Sequence, residues 1–194
     1  MNAVAETTVT TPEELNALPD EKDFELVDGQ LVERQMGAES SWVGGRIYRI
    51  LAEYAESHGL GLVWPSDNGY QCFPDEPNKV RKPDVSFVRT GRLPDDRLPE
   101  GYLRIPPDLA VEVISPNDLA VEVDQKVVEY RRAGVALVWV VNPRSRVVRI
   151  YRADGTSAWL NEDDELSGES VLPDFRCKVA AFFPPVAAQG GAAV

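Results

Sequence analysis

The sequence is poor in the side chains that most often do chemistry at neutral pH. Its 194 residues include one histidine, His58, and two cysteines, Cys72 and Cys177. A lone histidine excludes zinc centres built on two or three imidazoles within one chain, and a Ser-His-Asp arrangement would have to use His58. That residue stands in Ser57-His58-Gly59, which reads as the last turn of a helix and its glycine stop, where an imidazole suits the helix dipole. The cysteines are too far apart for a metal-type or redox-type pair. Long apolar runs are missing as well: the longest, residues 135–141, is far too short to span a bilayer. No stretch near the N-terminus joins a basic region to an apolar one, so a soluble, cytoplasmic protein is the expectation. Carboxylates and lysine are left as the candidate chemistry.

What the sequence has in quantity is ordinary globular composition, 43% apolar and 27% charged, with a formal net charge of −12. Such acidity argues against a polyanionic partner, but its distribution is uneven. Residues 79–152 hold 14 of the 20 basic side chains and only 10 of the 32 acidic ones. That stretch is either a surface that could meet a polyanion or a solvated mixed-charge face.

The length suits one domain, expected at 13–185, between small, polar, aperiodic ends at 1–12 and 186–194 that read as disordered. Alternating residues around Asp28-Gly29 predict a hairpin over 24–33. A helix follows over 40–57, with Val43, Ile47, Ile50 and Tyr54 on one stripe. Strands are expected at 60–65, 68–73, 84–88, 109–114, 136–141 and 147–151. The helix between the fourth and fifth opens at Ser115-Pro116-Asn117-Asp118 and ends at Ala133-Gly134. A last hairpin near 155–172 precedes a closing segment with Phe175, Phe182 and Phe183. The strand–helix–strand unit over 109–141 implies a parallel pair with a right-handed crossover. The fold class is therefore α/β, a mixed β-sheet flanked by helices.

Three residues break the local rules of burial. Glu112 interrupts the apolar strand Leu109-Ala110-Val111-Glu112-Val113-Ile114, where an ionised carboxylate needs a compensating cation or donor. It is either an acid paired with a buried arginine or at the open strand end, or a ligand. Asp84 opens a strand directly after Pro83 and alone would be an ordinary turn acid. Carboxylates on adjacent strands would suit Mg²⁺. Lys126 falls within about 60° of both Val123 and Tyr130 on the helical wheel, on the core stripe. It either snorkels along that stripe to solvent or is held against the sheet near Glu112.

These residues lie within a recognisable pattern. Lys82-Pro83-Asp84-Val85, Val111-Glu112-Val113-Ile114-Ser115-Pro116, Lys126 with Tyr130, Gly134-Val135, and Val138-Trp139-Val140-Val141-Asn142-Pro143 together resemble the Uma-two family. These are restriction-endonuclease-like proteins of the PD-(D/E)XK nuclease superfamily. Phe24-Glu25-Leu26-Val27-Asp28-Gly29 resembles the family's opening hairpin and Val171-Leu172-Pro173-Asp174-Phe175 its closing segment, so the likeness covers about 13–183.

The resemblance implies a restriction-endonuclease-like core with extra N- and C-terminal hairpins. It implies a Mg-dependent endodeoxyribonuclease whose catalytic residues are Asp84, Glu112 and Lys126. Asp84 and Glu112, with the Val113 carbonyl, would hold Mg²⁺ or Mn²⁺, and Lys126 would orient the attacking water or stabilise developing charge. DNA is the implied partner, no membrane is, and pairing of sheet edges would suit a homodimer. Two departures stand out. Position 114, where the superfamily usually has its lysine, is Ile114, the lysine having moved to the following helix. Ser40 stands where many relatives carry a histidine, beside Glu39, a candidate additional ligand. Glu25 is a hairpin residue without an assigned role. The alternative is a catalytically inactive nuclease-fold module that binds nucleic acid or a protein partner.

Overall fold

Residues 11–185 are described by the computed structural model of the chain. The ends expected to be disordered, 1–12 and 186–194, lie outside that range except for Thr11 and Pro12, which open the first helix, α1 (Pro12–Asn16). Thr11 and Glu14 form a reciprocal capping box there, each side chain accepting the other's backbone N–H.

The hairpin forms as expected from β1 (Phe24–Val27) and β2 (Gln30–Glu33). Asp28 and Gly29 both adopt positive φ, 51° and 72°, the backbone twist that suits a two-residue hairpin loop. Helix α2 (Ala38–Ser57) then leads into β3 (Gly61–Pro65), β4 (Val85–Arg89) and β5 (Leu109–Val113). Helix α3 (Ala120–Ala133) crosses over to β6 (Leu137–Asn142), and β7 (Val147–Arg152) and β8 (Ser157–Leu160) complete a six-stranded sheet. Its order is β3-β4-β5-β6-β7-β8, antiparallel except for the β5–β6 pair that α3 connects. The fold is α/β, a mixed sheet flanked by helices. Among the described residues no helix is long and apolar enough to cross a membrane.

Strand alternation splits the core in two. Val43, Ile47, Leu51 and Ala55 of α2 pack on Val85, Phe87, Val111, Trp139, Val141 and Ile150, and the C-terminal segment closes over them with Phe175 and Phe182. On the opposite face, Val123, Val127 and Tyr130 of α3 cover Ala110, Val138 and Val140. Helix α3 stops where Gly134 takes a left-handed conformation, φ 92°, which lets the chain turn directly into β6.

Three expectations are corrected. Residues 68–73 form no strand: Tyr70 makes isolated bridges to Arg81 and Leu103, and its hydroxyl donates to Ser86 (2.7 Å). The chain passes so close to Tyr102 at Gly69 that a Cβ there would lie 2.4 Å from the ring. The last hairpin divides, since β8 joins the main sheet while β9 (Glu165–Ser167) pairs with β10 (Arg176–Lys178), drawn away by burial of Leu166, Val171 and Leu172 against the α2-side core. Helix α3 begins at Ala120, because Asp118 closes a turn by accepting the Ser115 N–H (2.8 Å).

Part of the basic stretch is consumed in ion pairs within the molecule, while Arg97, Arg104, Arg131, Arg132 and Arg144 stay exposed. Lys79, Arg81 and Lys82 are buried. Lys79 and Arg81 share Glu129, and Lys82 pairs with Glu21. Arg89 and Arg92 both pair with Asp108, Arg146 with Glu162 and Arg152 with Glu169.

Candidate active site

Continuing the β4–β5 register of Val85 opposite Val111 by one residue sets Asp84 opposite Glu112. The strand adjacency on which the sequence argument depended is therefore present. The two acids line a cleft of about 260 Å³ bounded by the β1–β2 hairpin, the end of β5 and the first turns of α3. Val113 lies in the same wall, and its N–H donates to Asp84 Oδ2 (2.7 Å).

Helix α3 brings the third residue. Lys126 Nζ donates to Glu112 Oε2 (3.0 Å), and Tyr130, one turn later on the same stripe, donates its hydroxyl to Glu112 Oε1 (2.6 Å). Glu112 is thus held at both oxygens and is only 7% exposed. The Lys126 side chain turns inward to the sheet, which disposes of the snorkelling alternative. Asp84, Glu112, Val113 and Lys126 converge. Glu39 does not: it is exposed in the first turn of α2 and lines no part of the cleft. Ser40 is buried, its hydroxyl 2.7 Å from that of Ser115, so it ties α2 to the loop after β5. His58 is exposed at the end of α2, stacked on Tyr54, as a helix-terminal residue should be.

Sequence reasoning missed two neighbours. Arg34, just beyond β2, places Nη2 3.2 Å from Asp84 Oδ1 and donates from Nη1 to the Ser66 carbonyl (2.9 Å). Nothing in the local pattern announces it. Glu25 is 2% exposed, with Oε1 3.5 Å from Lys126 Nζ. Arg81 Nη1 donates to its Oε2 (2.9 Å) and the Lys82 N–H to its Oε1 (2.7 Å). Arg81 in turn donates to Glu129 (2.7 Å), which also accepts from Lys79 (2.6 Å) and Gln125 (3.0 Å). The clue to Glu25 was its strand parity, which puts it on the same side of β1 as Val27.

These contacts set the electrostatics. Burial and the neighbouring Glu112 charge push the Asp84 carboxyl up to about 7, against Lys126, Arg34 and the Val113 N–H. Burial alone would lower the Lys126 ammonium, but Glu112, Glu25 and Asp84 outweigh it and hold the lysine above its usual range, firmly charged. Burial alone would raise Glu25, yet Lys126, Arg81 and the Lys82 N–H bring it down to about 2. The site therefore presents acids facing a fixed ammonium, an arrangement able to gather a cation and to stabilise anionic charge.

A family model described as Uma2, "Putative restriction endonuclease", matches residues 12–180. No curated protein matches the chain. Among solved structures, the crystal structure of a "putative nuclease belonging to DUF820" from Anabaena variabilis ATCC 29413 is similar, with a TM-score of 0.75. The match covers 89% of this chain and 96% of that one at 17% identity, a likeness of fold.

Proposed function

This chain belongs to the Uma2 family of putative restriction endonucleases, and from that premise we propose that it is a metal-dependent endonuclease hydrolysing phosphodiester bonds in DNA. The observation that carries this reading is the opposition of Asp84 and Glu112 across adjacent strands, with the Lys126 ammonium 3.0 Å from Glu112.

The donor set fits a hard divalent cation. Two carboxylates and the Val113 carbonyl would leave several positions to water, the way Mg²⁺ is commonly held. The Asp84 carboxyl is raised first by its burial and then by the neighbouring Glu112 charge, and a bound cation would offset both. Among the described residues no three or more His, Cys, Asp or Glu side chains gather into a group that could hold a metal ion, so the proposed ligands are two carboxylates and one carbonyl. When bound, Mg²⁺ or Mn²⁺ supplies neutralisation of phosphate charge and an activated water. The Val113 N–H orients Asp84, and Tyr130 fixes Glu112. Lys126, held beside Glu112, would orient the attacking water or stabilise the negative charge that develops on the phosphate.

A second reading, a nuclease-fold module that binds without turnover, is favoured by the same ion pairs. Arg34 and Lys126 already engage the two acids, and Asp28, Glu33, Asp118 and Glu122 add further negative charge to the cleft lining. Cleavage of supercoiled plasmid in Mg²⁺ and in Mn²⁺, beside EDTA and Glu112→Ala controls, separates the two. Metal-dependent nicking that disappears in Glu112→Ala supports the nuclease. No nicking by folded protein in either metal moves the assignment to the binding module.

A further inference from the structure

We propose that Glu25 is a positioning residue of this site, the fixed counter-ion that holds Lys126 aimed into the cleft; the proposal rests on the nuclease reading above. Lys126 lies between two carboxylates on different elements, Glu112 of β5 at 3.0 Å and Glu25 of β1 at 3.5 Å. The two are not equivalent. Glu112 faces the cleft opposite Asp84 and is the acid whose charge a divalent cation would draw upon. Glu25 cannot turn away, because Arg81 occupies one of its oxygens and the Lys82 N–H the other. Behind it, Arg81 is braced by Glu129, and Glu129 by Lys79 and Gln125, so the carboxylate sits at the end of a buried chain of charge-assisted hydrogen bonds.

A hairpin that served only to cover the sheet would place an apolar residue at this position, as it does at Leu26 and Val27. A buried carboxylate needs several donors to be tolerated, and the chain devotes Lys82 N–H, Arg81 and, through Glu129, Lys79 to it. Of the two cations that form ion pairs with Glu25 among the described residues, Arg81 and Lys126, it is Lys126 that also pairs with a candidate catalytic acid. Glu25 is therefore the contact that keeps the ammonium in place when Glu112 is engaged elsewhere. It also explains why the β1–β2 hairpin, outside the six-stranded sheet, forms a wall of the cleft.

The test compares Glu25→Gln and Glu25→Asp with the unaltered chain by two independent readouts. The first is steady-state cleavage with Mn²⁺ affinity measured calorimetrically. The second is the rate at which an amine-acylating reagent modifies Lys126 in metal-free protein, followed by mass spectrometry with the exposed Lys178 as internal reference. Glu25→Gln should lower kcat about 10- to 100-fold with KM and Mn²⁺ affinity little changed, as expected when the support of a reactive group is removed. Its Lys126 should be acylated several-fold faster, and Glu25→Asp should recover part of both effects. Unchanged kcat, or unchanged Lys126 acylation in a folded Glu25→Gln variant, overturns the proposal. Should Glu25→Gln fail to fold, the same two readouts on Glu25→Asp decide it. Absence of cleavage by the unaltered chain would defeat the nuclease reading, and the acylation rates would still report whether Glu25 holds Lys126.

Discussion

The sheet face under α2 and the face under α3 are built from the same strands, yet they are put to different uses. Under α2, the inward residues of β4, β5, β6 and β7 meet Val43, Ile47, Leu51 and the C-terminal phenylalanines in one large apolar cluster. Under α3 the apolar cluster is smaller, and it is bordered by Glu112, Lys126, Glu25, Arg81, Glu129 and Lys79, all buried or nearly so. Burial of apolar area is non-directional and tolerant, so the first face can supply stability without fixing any one side chain. Charged groups in a poorly solvated place must be matched one for one, so the second face fixes the position of every member. The comparison teaches where precision is located: α2 holds the sheet, and α3 with the hairpin holds the groups proposed to act.

Substitutions should separate the two faces. The largest effect belongs to the acids. Asp84→Ala and Glu112→Ala should each lower plasmid cleavage more than about 10⁴-fold, over about 5 kcal/mol of barrier, in protein that still folds. Ordinary cleavage by either variant would put the chemistry elsewhere. On the other face the sign is reversed. Trp139→Ala should cost about 4 kcal/mol of stability in urea titrations, through loss of a wholly buried side chain. Trp139→Phe should cost distinctly less, because the indole Nε1–H is buried without a hydrogen-bond partner and its removal relieves that penalty.

Smaller effects probe the border. Glu129→Gln should destabilise by about 3 kcal/mol, since it leaves Arg81 and Lys79 short of a buried carboxylate. A loss like that of an exposed pair, under about 1 kcal/mol, would mean the chain of ions is not strongly coupled to folding. The last effect is a pH slope. Glu25 titrates near 2 in the folded chain and near about 4.3 when unfolded. A folded pKa below the unfolded one means that the stabilisation is complete above the unfolded value and declines as pH falls from there toward 2. Urea midpoints measured across that window should fall less steeply in Glu25→Gln; identical slopes would remove Glu25 from the acid response.

Much of this arrangement was legible in the sequence because it depends on local rules. The Asp28-Gly29 turn, the Gly134 stop and the strand–helix–strand unit are all set by residues close to one another in the chain. Glu112 and Lys126 stand out because each violates its local pattern, whereas Asp84 stands out only beside Glu112 and through the family resemblance. What escaped depends on which distant segments meet. A count of basic residues does not distinguish Arg81, enclosed between Glu25 and Glu129, from an arginine facing water. Tyr70 alternates as a strand residue would, but its partners lie at Arg81 and Leu103, on separate segments too short to form a ladder. Arg34 meets Asp84 across fifty residues, a separation at which periodicity carries no information.

The pairing of Arg34 with Asp84 and of Lys126 with Glu112 has a consequence for the idle protein. A chain that counterbalances its own acids does not wait for a metal in order to fold, unlike small domains in which the ion is the core. On the proposed reading, withdrawing the divalent cation would therefore stop cleavage while leaving the folded chain in place.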